Sequence, residues 1–295
     1  MLHLVDASYF IFRAYYSVTP AMTDAGGQPV NALYGFARFM GDLLERARPE
    51  HVAVAFDESL ETSFRNEIYP PYKANRDPTP PDLERQFVLC REFCRLLGVA
   101  EFADDAYEAD DIIGAIATRM RAEGHASVLV TRDKDLAQLI RQGDEFWDVA
   151  GDRRLAYDQI EPHFGVRPER FADYLALTGD AVDNIPGVPG VGPKTAAALL
   201  KVFGSLDEIY GDLESVRTLP IRGAARLPER LSEHRDAAYL AQRLTRIACD
   251  MPLAFEERDL QRRAPDVAAL ESFYERAQFG PMLARQARRL AETFG

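Results

Sequence analysis

Three short apolar runs, LHLVD at 2–6, HVAVAFD at 51–57 and SVLVTRD at 127–133, each close on an aspartate. Runs of this length, rich in Val, Leu and Ala and without polar alternation, predict strands buried on both faces, and EFWDV at 145–149 predicts a further one. Between them, apolar residues recur at helical spacing near 31–47, 82–97 and 108–122. Strands that alternate with helices are joined by crossovers, which gives an α/β fold with a mostly parallel central sheet flanked by helices. After about residue 170 the strand signal stops, and helical patterns joined by Gly and Pro turns take over. An α/β domain followed by a helical subdomain is expected, with no repeat or low-complexity tract. At 295 residues and 47% hydrophobic content, the chain can bury a substantial core.

The aspartates matter because functional groups of an open parallel sheet gather outside the carboxyl ends of its strands. Asp6, Asp57 and Asp133 take such positions, and Asp135 follows in TRDKDL. The line AYEADDIIGAIA sets Glu108, Asp110 and Asp111 at the start of a helix, on the same edge if a strand runs near Val99–Phe102. Glu108 is expected at that helix start, outside its regular repeat. Each acid alone has a plain explanation, as a turn former or as a first-turn acid stabilised by the helix dipole by about 0.3–1 kcal/mol. Agreement among three strand ends is a stronger pattern. In LTGDAVDN, Asp180 and Asp183 are three apart and would face the same way on one helical turn. Nine carboxylates brought together without cations would repel strongly, and divalent metal resolves the conflict. The set holds no histidine or cysteine, which disfavours zinc and suits Mg²⁺ or Mn²⁺. Two such ions, roughly 3.5–4 Å apart, can activate water and stabilise a leaving oxygen in phosphodiester cleavage.

The net charge of -12 at first opposes a nucleic-acid partner. Setting aside the nine candidate ligands leaves 38 acids against 35 Lys and Arg, so local basic patches can still grip phosphates. SFRNEIYPPYKANR is one such patch: Arg65, Lys73 and Arg76 can neutralise phosphates while Phe64, Tyr69 and Tyr72 stack exposed bases, a combination that suits a single strand. GVPGVGPKT approaches a nucleotide-triphosphate loop, but Pro193 stands where the lysine is required and no strand precedes it. The better reading has Gly187, Gly190 and Gly192 letting backbone N–H groups approach a phosphate, with Lys194 nearby and a helix opening at about Thr195. Cys90 and Cys94 lie one helical turn apart and Cys249 is remote, so the cysteines form neither a disulfide framework nor a metal site. The five histidines are scattered and receive no catalytic role. The chain opens MLHLVDAS without a charged leader or long apolar segment, which predicts a cytoplasmic protein with no membrane association.

The motifs LVDASYFIFRAYY, VAFDESLETSFRNEIYPPYKANR, YEADD, VTRDKDLAQLI and LTGDAVDNIPGVPGVGPKTAAALL, in this order, resemble the 5'-nuclease family. That family comprises the flap endonucleases and the 5'-to-3' exonuclease domain of bacterial DNA polymerase I. The resemblance spans nearly the whole chain and implies a free-standing, metal-dependent nuclease acting on DNA with 5' flaps or 5' ends. It implies a nuclease domain over 1–170 with an arch near 62–97, and a helix-three-turn-helix DNA-binding subdomain over 171–255. Residues 256–295 would form C-terminal helices packing on the nuclease domain. A K⁺ ion at the glycine-rich element, a role for Arg13 near the scissile phosphate, and roles for Lys73 and Arg76 in the arch are further implications. So are a monomeric state and a functional link to a polymerase in replication and repair.

The mechanism expected from these residues places one ion on Asp6, Glu108 and Asp110, presenting hydroxide to the phosphate. A second, near Asp133, Asp135 and Asp183, stabilises the opposite oxygen, while Asp57, Asp111 and Asp180 act directly or through water. The products implied carry a 5'-phosphate and a 3'-hydroxyl. Two alternatives stay open: a PIN-like ribonuclease sharing the sheet and the acids, and a non-catalytic DNA-junction binder.

Overall fold

The computed structural model of the protein describes residues 1–58, 63–221 and 223–294. Along the chain run β1 (Leu2–Asp6), α1 (Ala7–Ser17), α2 (Asn31–Ala47), β2 (His51–Asp57), α3 (Phe64–Ile68), α4 (Pro81–Leu96), β3 (Ala100–Asp104), α5 (Ala109–Ala122) and β4 (Ser127–Val130). A 3-10 turn at Lys134–Leu139 leads to β5 (Glu145–Asp148), β6 (Arg153–Ala156), α6 (Tyr157–Phe164), α7 (Phe171–Thr178), α8 (Pro193–Phe203) and α9 (Leu206–Gly211). The chain then forms α10 (Leu213–Val216), α11 (Leu227–Glu233), α12 (Arg235–Thr245), α13 (Glu257–Leu260), α14 (Val267–Arg276) and α15 (Pro281–Glu292). Two compact units share these elements. One comprises Met1–Ser59, Pro78–Arg132 and Cys249–Gly295, the other Leu60–Asp77 and Asp133–Ala248. The units are interleaved along the sequence, where the sequence reading set its domains end to end.

In the first unit, β3, β2, β1 and β4 lie side by side and parallel, with Leu4 opposite Ala53 and Leu129, and Asp57 opposite Asp104. β1 is buried along its whole length, as a strand covered on both faces must be. The face of α2 that carries Leu33, Phe36, Met40 and Leu44 is buried, and α1, α4 and α15 pack on this helix. Its N-terminal amides have no side-chain cap of their own. The buried Gln86 of α4 supplies one, its Oε1 accepting from Ala32 N at 2.8 Å and Leu33 N at 3.1 Å. The C-terminal α14 packs on α4.

The arch expected near 62–97 begins at Thr62, outside the described residues. From Pro81 onward that segment is a core helix of the first unit: Leu83, Cys90, Phe93 and Cys94 are buried, and α4 packs on α2 and β3. Only residues 63–77, placed in the second unit, keep a loop-rich character. That unit also holds the antiparallel pair β5–β6, of which β6 carries no strand signal beyond Leu155, and a cluster in which α7 packs on α8 and α12.

Sequence periodicity located the strands and long helices to within a few residues. Two features of the glycine-rich region differ from expectation. The helix opens at Pro193 rather than Thr195, with proline in its first turn, where a missing N–H costs nothing, and Gly192 as N-cap. Asp180 and Asp183 do not share a helical turn. They lie on a tight loop closed by paired bonds between Asp180 and Ile185, Asp180 N to Ile185 O at 2.9 Å and Ile185 N to Asp180 O at 2.8 Å. Gly179 ends α7 with φ of 72°, a conformation a side chain would strain, and so breaks the helical repeat before Asp180.

Candidate functional site

Each unit gathers its own acids. In the first, Asp6 is the last residue of β1 and the N-cap of α1, and only 5% of it is exposed. Its Oδ1 accepts from Tyr9 N at 3.3 Å and its Oδ2 from the Thr131 hydroxyl at 2.9 Å. Thr131 is fully buried and sits just past β4, so two strand ends cooperate in fixing one carboxylate. Sequence reading passed over this threonine. The signal available was a polar β-branched residue placed between an apolar strand and the aspartate of VTRD.

Asp57, the last residue of β2, accepts at Oδ1 from Ala109 N at 2.8 Å, and its own amide donates to Ser8 Oγ at 3.2 Å. This ties the start of α5 to the end of β2. Glu108 is the buried N-cap of α5, in extended conformation, as expected of a residue outside the helical repeat. Asp111, also buried, takes the Glu108 amide on Oδ2 at 3.1 Å and completes a capping box. That commitment makes Asp111 first of all a support for Glu108. Asp110, between them, is half-buried. Arg13 is exposed on α1, and Arg132 donates to Tyr9 Oη at 3.3 Å.

The second unit holds the remaining acids around Lys134. Asp133 caps the 3-10 turn, accepting from Asp135 N at 2.9 Å. Lys134 Nζ lies 3.3 Å from Asp135 Oδ1 and 3.1 Å from Asp180 Oδ2. Asp183 is met by the Arg76 guanidinium and by Tyr72 Oη at 3.4 Å, and its carbonyl accepts from Lys73 N at 3.0 Å. Asn184 Nδ2 donates to Pro71 O at 2.7 Å and Asn75 Nδ2 to Ala181 O at 3.0 Å. The segment 71–76 is thus stitched to the loop 181–184. Lys73 and Asn184 both adopt left-handed backbone, with φ of 55° and 57°, conformations uncommon outside glycine. The two asparagine bonds and the Lys73 amide bond help to hold them there.

Crowding shows in the proton affinities. Burial, then the charge of Asp133, pushes Asp135 up to about 7 from an ordinary 3.8, against the opposing pull of Lys134. Asp133 is likewise raised by burial, with Asp183 adding to the effect and Lys134 and Lys73 opposing it. Burial would discharge Lys134, but Asp135, Asp180 and Asp133 hold it firmly charged. These acids therefore carry more negative charge than one lysine and one arginine offset. Their donors are all oxygen, which is the chemistry a hard divalent cation takes. Among the described residues, no group of three or more His, Cys, Asp and Glu side chains is set to hold a metal ion in the present arrangement.

Several expected DNA contacts take other roles. Arg65 is 3% exposed, its Nε donating to Leu244 O at 2.7 Å and its Nη2 to Arg246 O at 3.2 Å, so it is an internal clamp rather than a phosphate contact. Tyr72 is also buried, which removes it as a stacking platform. Lys73 Nζ lies 5.0 Å from its ring centroid. Phe64 lies under the Arg65 guanidinium at 4.6 Å, and Tyr69 is half-buried. Gly187 packs backbone to backbone: a Cβ there would stand 2.3 Å from Gly179 N and from the Thr178 carbonyl carbon. Its missing side chain serves that approach and not a phosphate. Gly190 turns the chain with φ of 77°, while Gly192 faces open space. Lys194 and Thr195 lie in the first turn of α8, Lys194 exposed and Thr195 half-buried.

This α/β sheet with acids at its strand ends, joined to a helical unit, defines a class that comparison with known proteins specifies. The model of the 5'-3' exonuclease N-terminal resolvase-like domain matches residues 1–165, and that of the 5'-3' exonuclease C-terminal SAM fold matches 166–268. The chain belongs to the 5'-3' exonuclease family. It is 32% identical over 282 residues to a 5'-3' exonuclease of Aquifex aeolicus, covering 96% of this chain and 93% of that one. It is 39% identical over 279 residues to DNA polymerase I of Pseudomonas aeruginosa, covering 94% of this chain and 30% of that protein. The chain therefore spans about a third of the length of the polymerase relatives it matches. Among solved structures, the 5'-exonuclease of bacteriophage T5 with bound zinc superposes with a TM-score of 0.68 at 20% identity, covering 99% of this chain and 98% of that one. The T5 flap endonuclease in complex with DNA and metal ions superposes at 0.65, also at 20% identity, with 99% of each chain covered. At that identity the likeness is one of fold.

Proposed function

We propose that the protein is a divalent-metal-dependent 5' nuclease, a flap endonuclease and 5'-3' exonuclease that hydrolyses DNA phosphodiesters in replication and repair. The observation that supports this most is that acids from distant segments assemble within each unit: Asp6, Asp57 and Glu108 at strand ends and a helix start, and Asp133, Asp135 and Asp180 about Lys134. The all-oxygen donor set fits Mg²⁺ or Mn²⁺. Asp6, Glu108 and Asp110 would hold one ion and Asp133, Asp135 and Asp183 a second, with Asp57, Asp111 and Asp180 supporting them. When bound, such ions lower the pKa of water and offset charge on the phosphate. The chain's own part is to orient these carboxylates: Thr131 and the Tyr9 amide fix Asp6, and Asp111 fixes Glu108. Lys134 and Arg76, paired with acids as the chain stands, hold local charge in balance until metal enters. Lys73, Arg76 and Arg13 are proposed to meet the substrate phosphates, and K⁺ to sit at the Gly187–Gly192 turn, whose Gly192, Lys194 and Thr195 face the duplex.

Among the described residues no helix is long and apolar enough to cross a membrane, which supports a cytoplasmic site of action. A monomeric state and a functional link to a DNA polymerase complete the proposal. The test is cleavage of a 5'-flap DNA with Mg²⁺, with EDTA, and by Asp135→Asn. Cutting is expected only in the first case. Persistence in both others would reject metal-dependent hydrolysis. Preferential cutting of unstructured RNA would select a ribonuclease, and binding without turnover a junction binder.

A further inference from the structure

We infer that a cleft on the helical unit, lined by Pro189, Arg226, Arg230 and His234, grips phosphates of duplex DNA as a contact separate from the glycine-rich turn itself. This rests on the reading of the protein as a DNA nuclease. The cleft encloses ≈ 330 Å³, and Glu229 and Glu233 complete its lining. Pro189 brings the glycine-rich turn to one wall. On the other, Arg226 and Arg230 are one helical turn apart at the start of α11, so their side chains project along one side.

Three observations point to an anionic polymer. First, neither guanidinium makes a hydrogen bond or ion pair among the described residues, although nearly every other feature of this acid-rich chain favours pairing. Second, the Arg230 guanidinium lies against the turn: a Cβ on Gly190 would stand 2.3 Å from its Nη1. The charge is therefore carried beside exposed peptide groups and not out into solvent. Third, Glu229 is already neutralised by Arg217, whose Nη2 lies 2.5 Å from Glu229 Oε1. That leaves Glu233 as the opposing acid of the lining against two arginines, with His234 adding a donor. Two arginines spaced along a helix match successive phosphates on one strand better than a single small anion, and a local cationic cleft can bind DNA despite an acidic total.

The test uses the full-length protein, a fluorescein-labelled 5'-flap DNA with a duplex arm, and the corresponding single strand, in EDTA. Binding is followed by anisotropy across a KCl series. For Arg226→Gln/Arg230→Gln, duplex affinity is expected to fall about tenfold near 0.1 M KCl. The slope of log Kd against log [KCl] should flatten by about 1.8, the value for two lost phosphate contacts. Single-strand affinity should change less than twofold. Arg230→Lys should retain most of the slope, and Glu233→Gln should tighten duplex binding. Thermal unfolding accompanies each variant, and should the double variant unfold, exposed Arg226→Gln with Arg230→Lys carries the comparison. Unchanged duplex affinity and slope, in a preparation whose wild type still cuts the flap in Mg²⁺, overturns this assignment alone. A wild type that neither cuts nor binds DNA removes the nuclease reading and this inference together.

Discussion

Asp135 concentrates the electrostatics of the second unit in one side chain. Its carboxyl is held up to about 7 by burial and by Asp133, against an ordinary 3.8. Folded, metal-free protein therefore holds this proton more tightly than the unfolded chain does. The resulting stability is complete below the ordinary value and is lost as pH rises through about 7. Asp133 acts in the same direction. In EDTA the protein should melt at a higher temperature at pH 5.5 than at pH 8, and Asp135→Asn should flatten that difference. An equal or higher Tm at pH 8 in EDTA would contradict the account. Thr131 allows a second test at this scale, because its hydroxyl does nothing but orient Asp6 in the bonds described. Thr131→Val should reduce flap cleavage in Mg²⁺ by about 10- to 100-fold, the usual cost of losing an orienting partner of a metal ligand. The melting temperature should barely move. The acids were legible in the sequence because strand-end position is a local signal. Thr131 was not, since its partner lies 125 residues away.

At the level of elements, the informative residues are those whose role depends on what packs beside them. Gly187 and Gly192 look alike in GVPGVGPKT, yet one abuts the backbone of Thr178 and Gly179 and the other caps α8 in open space. Gly187→Ala should cost about 1–3 kcal/mol in denaturant unfolding through overpacking, and Gly192→Ala less than about 1 kcal/mol. Equal effects would mean that the close approach is not a constraint. Arg65 makes the same point. In SFRNEIYPPYKANR it reads as a surface cation, but its guanidinium satisfies the carbonyls of Leu244 and Arg246. Arg65→Met should lose about 2–4 kcal/mol, because buried acceptors are stranded. Periodicity revealed α2, α4 and α5 because each owes its burial to its own repeat. The loop at 180–185 was misread as helical because spacing alone does not show that Gly179 adopts positive φ and ends the helix.

For the whole molecule, metal and stability are linked. Ions that bind only the folded chain raise its stability by RT ln(1 + [M]/Kd), about 2.7 kcal/mol at a hundredfold excess over Kd. Mg²⁺ should accordingly raise Tm in wild type at pH 8 and do so less in Asp135→Asn, as differential scanning fluorimetry would show. The interleaving of the two units has a different consequence, one that concerns synthesis. Residues Cys249–Gly295 complete the unit that begins at Met1. α15 covers α2, and α14 covers α4, from a sequence distance of some two hundred residues. During translation the amino-terminal sheet must wait, with its α2 and α4 flanks bare, until the last helices leave the ribosome, and the exposed apolar surface would invite chaperones in the interval. A truncation after Ala248 should therefore accumulate as aggregate, however intact its acids.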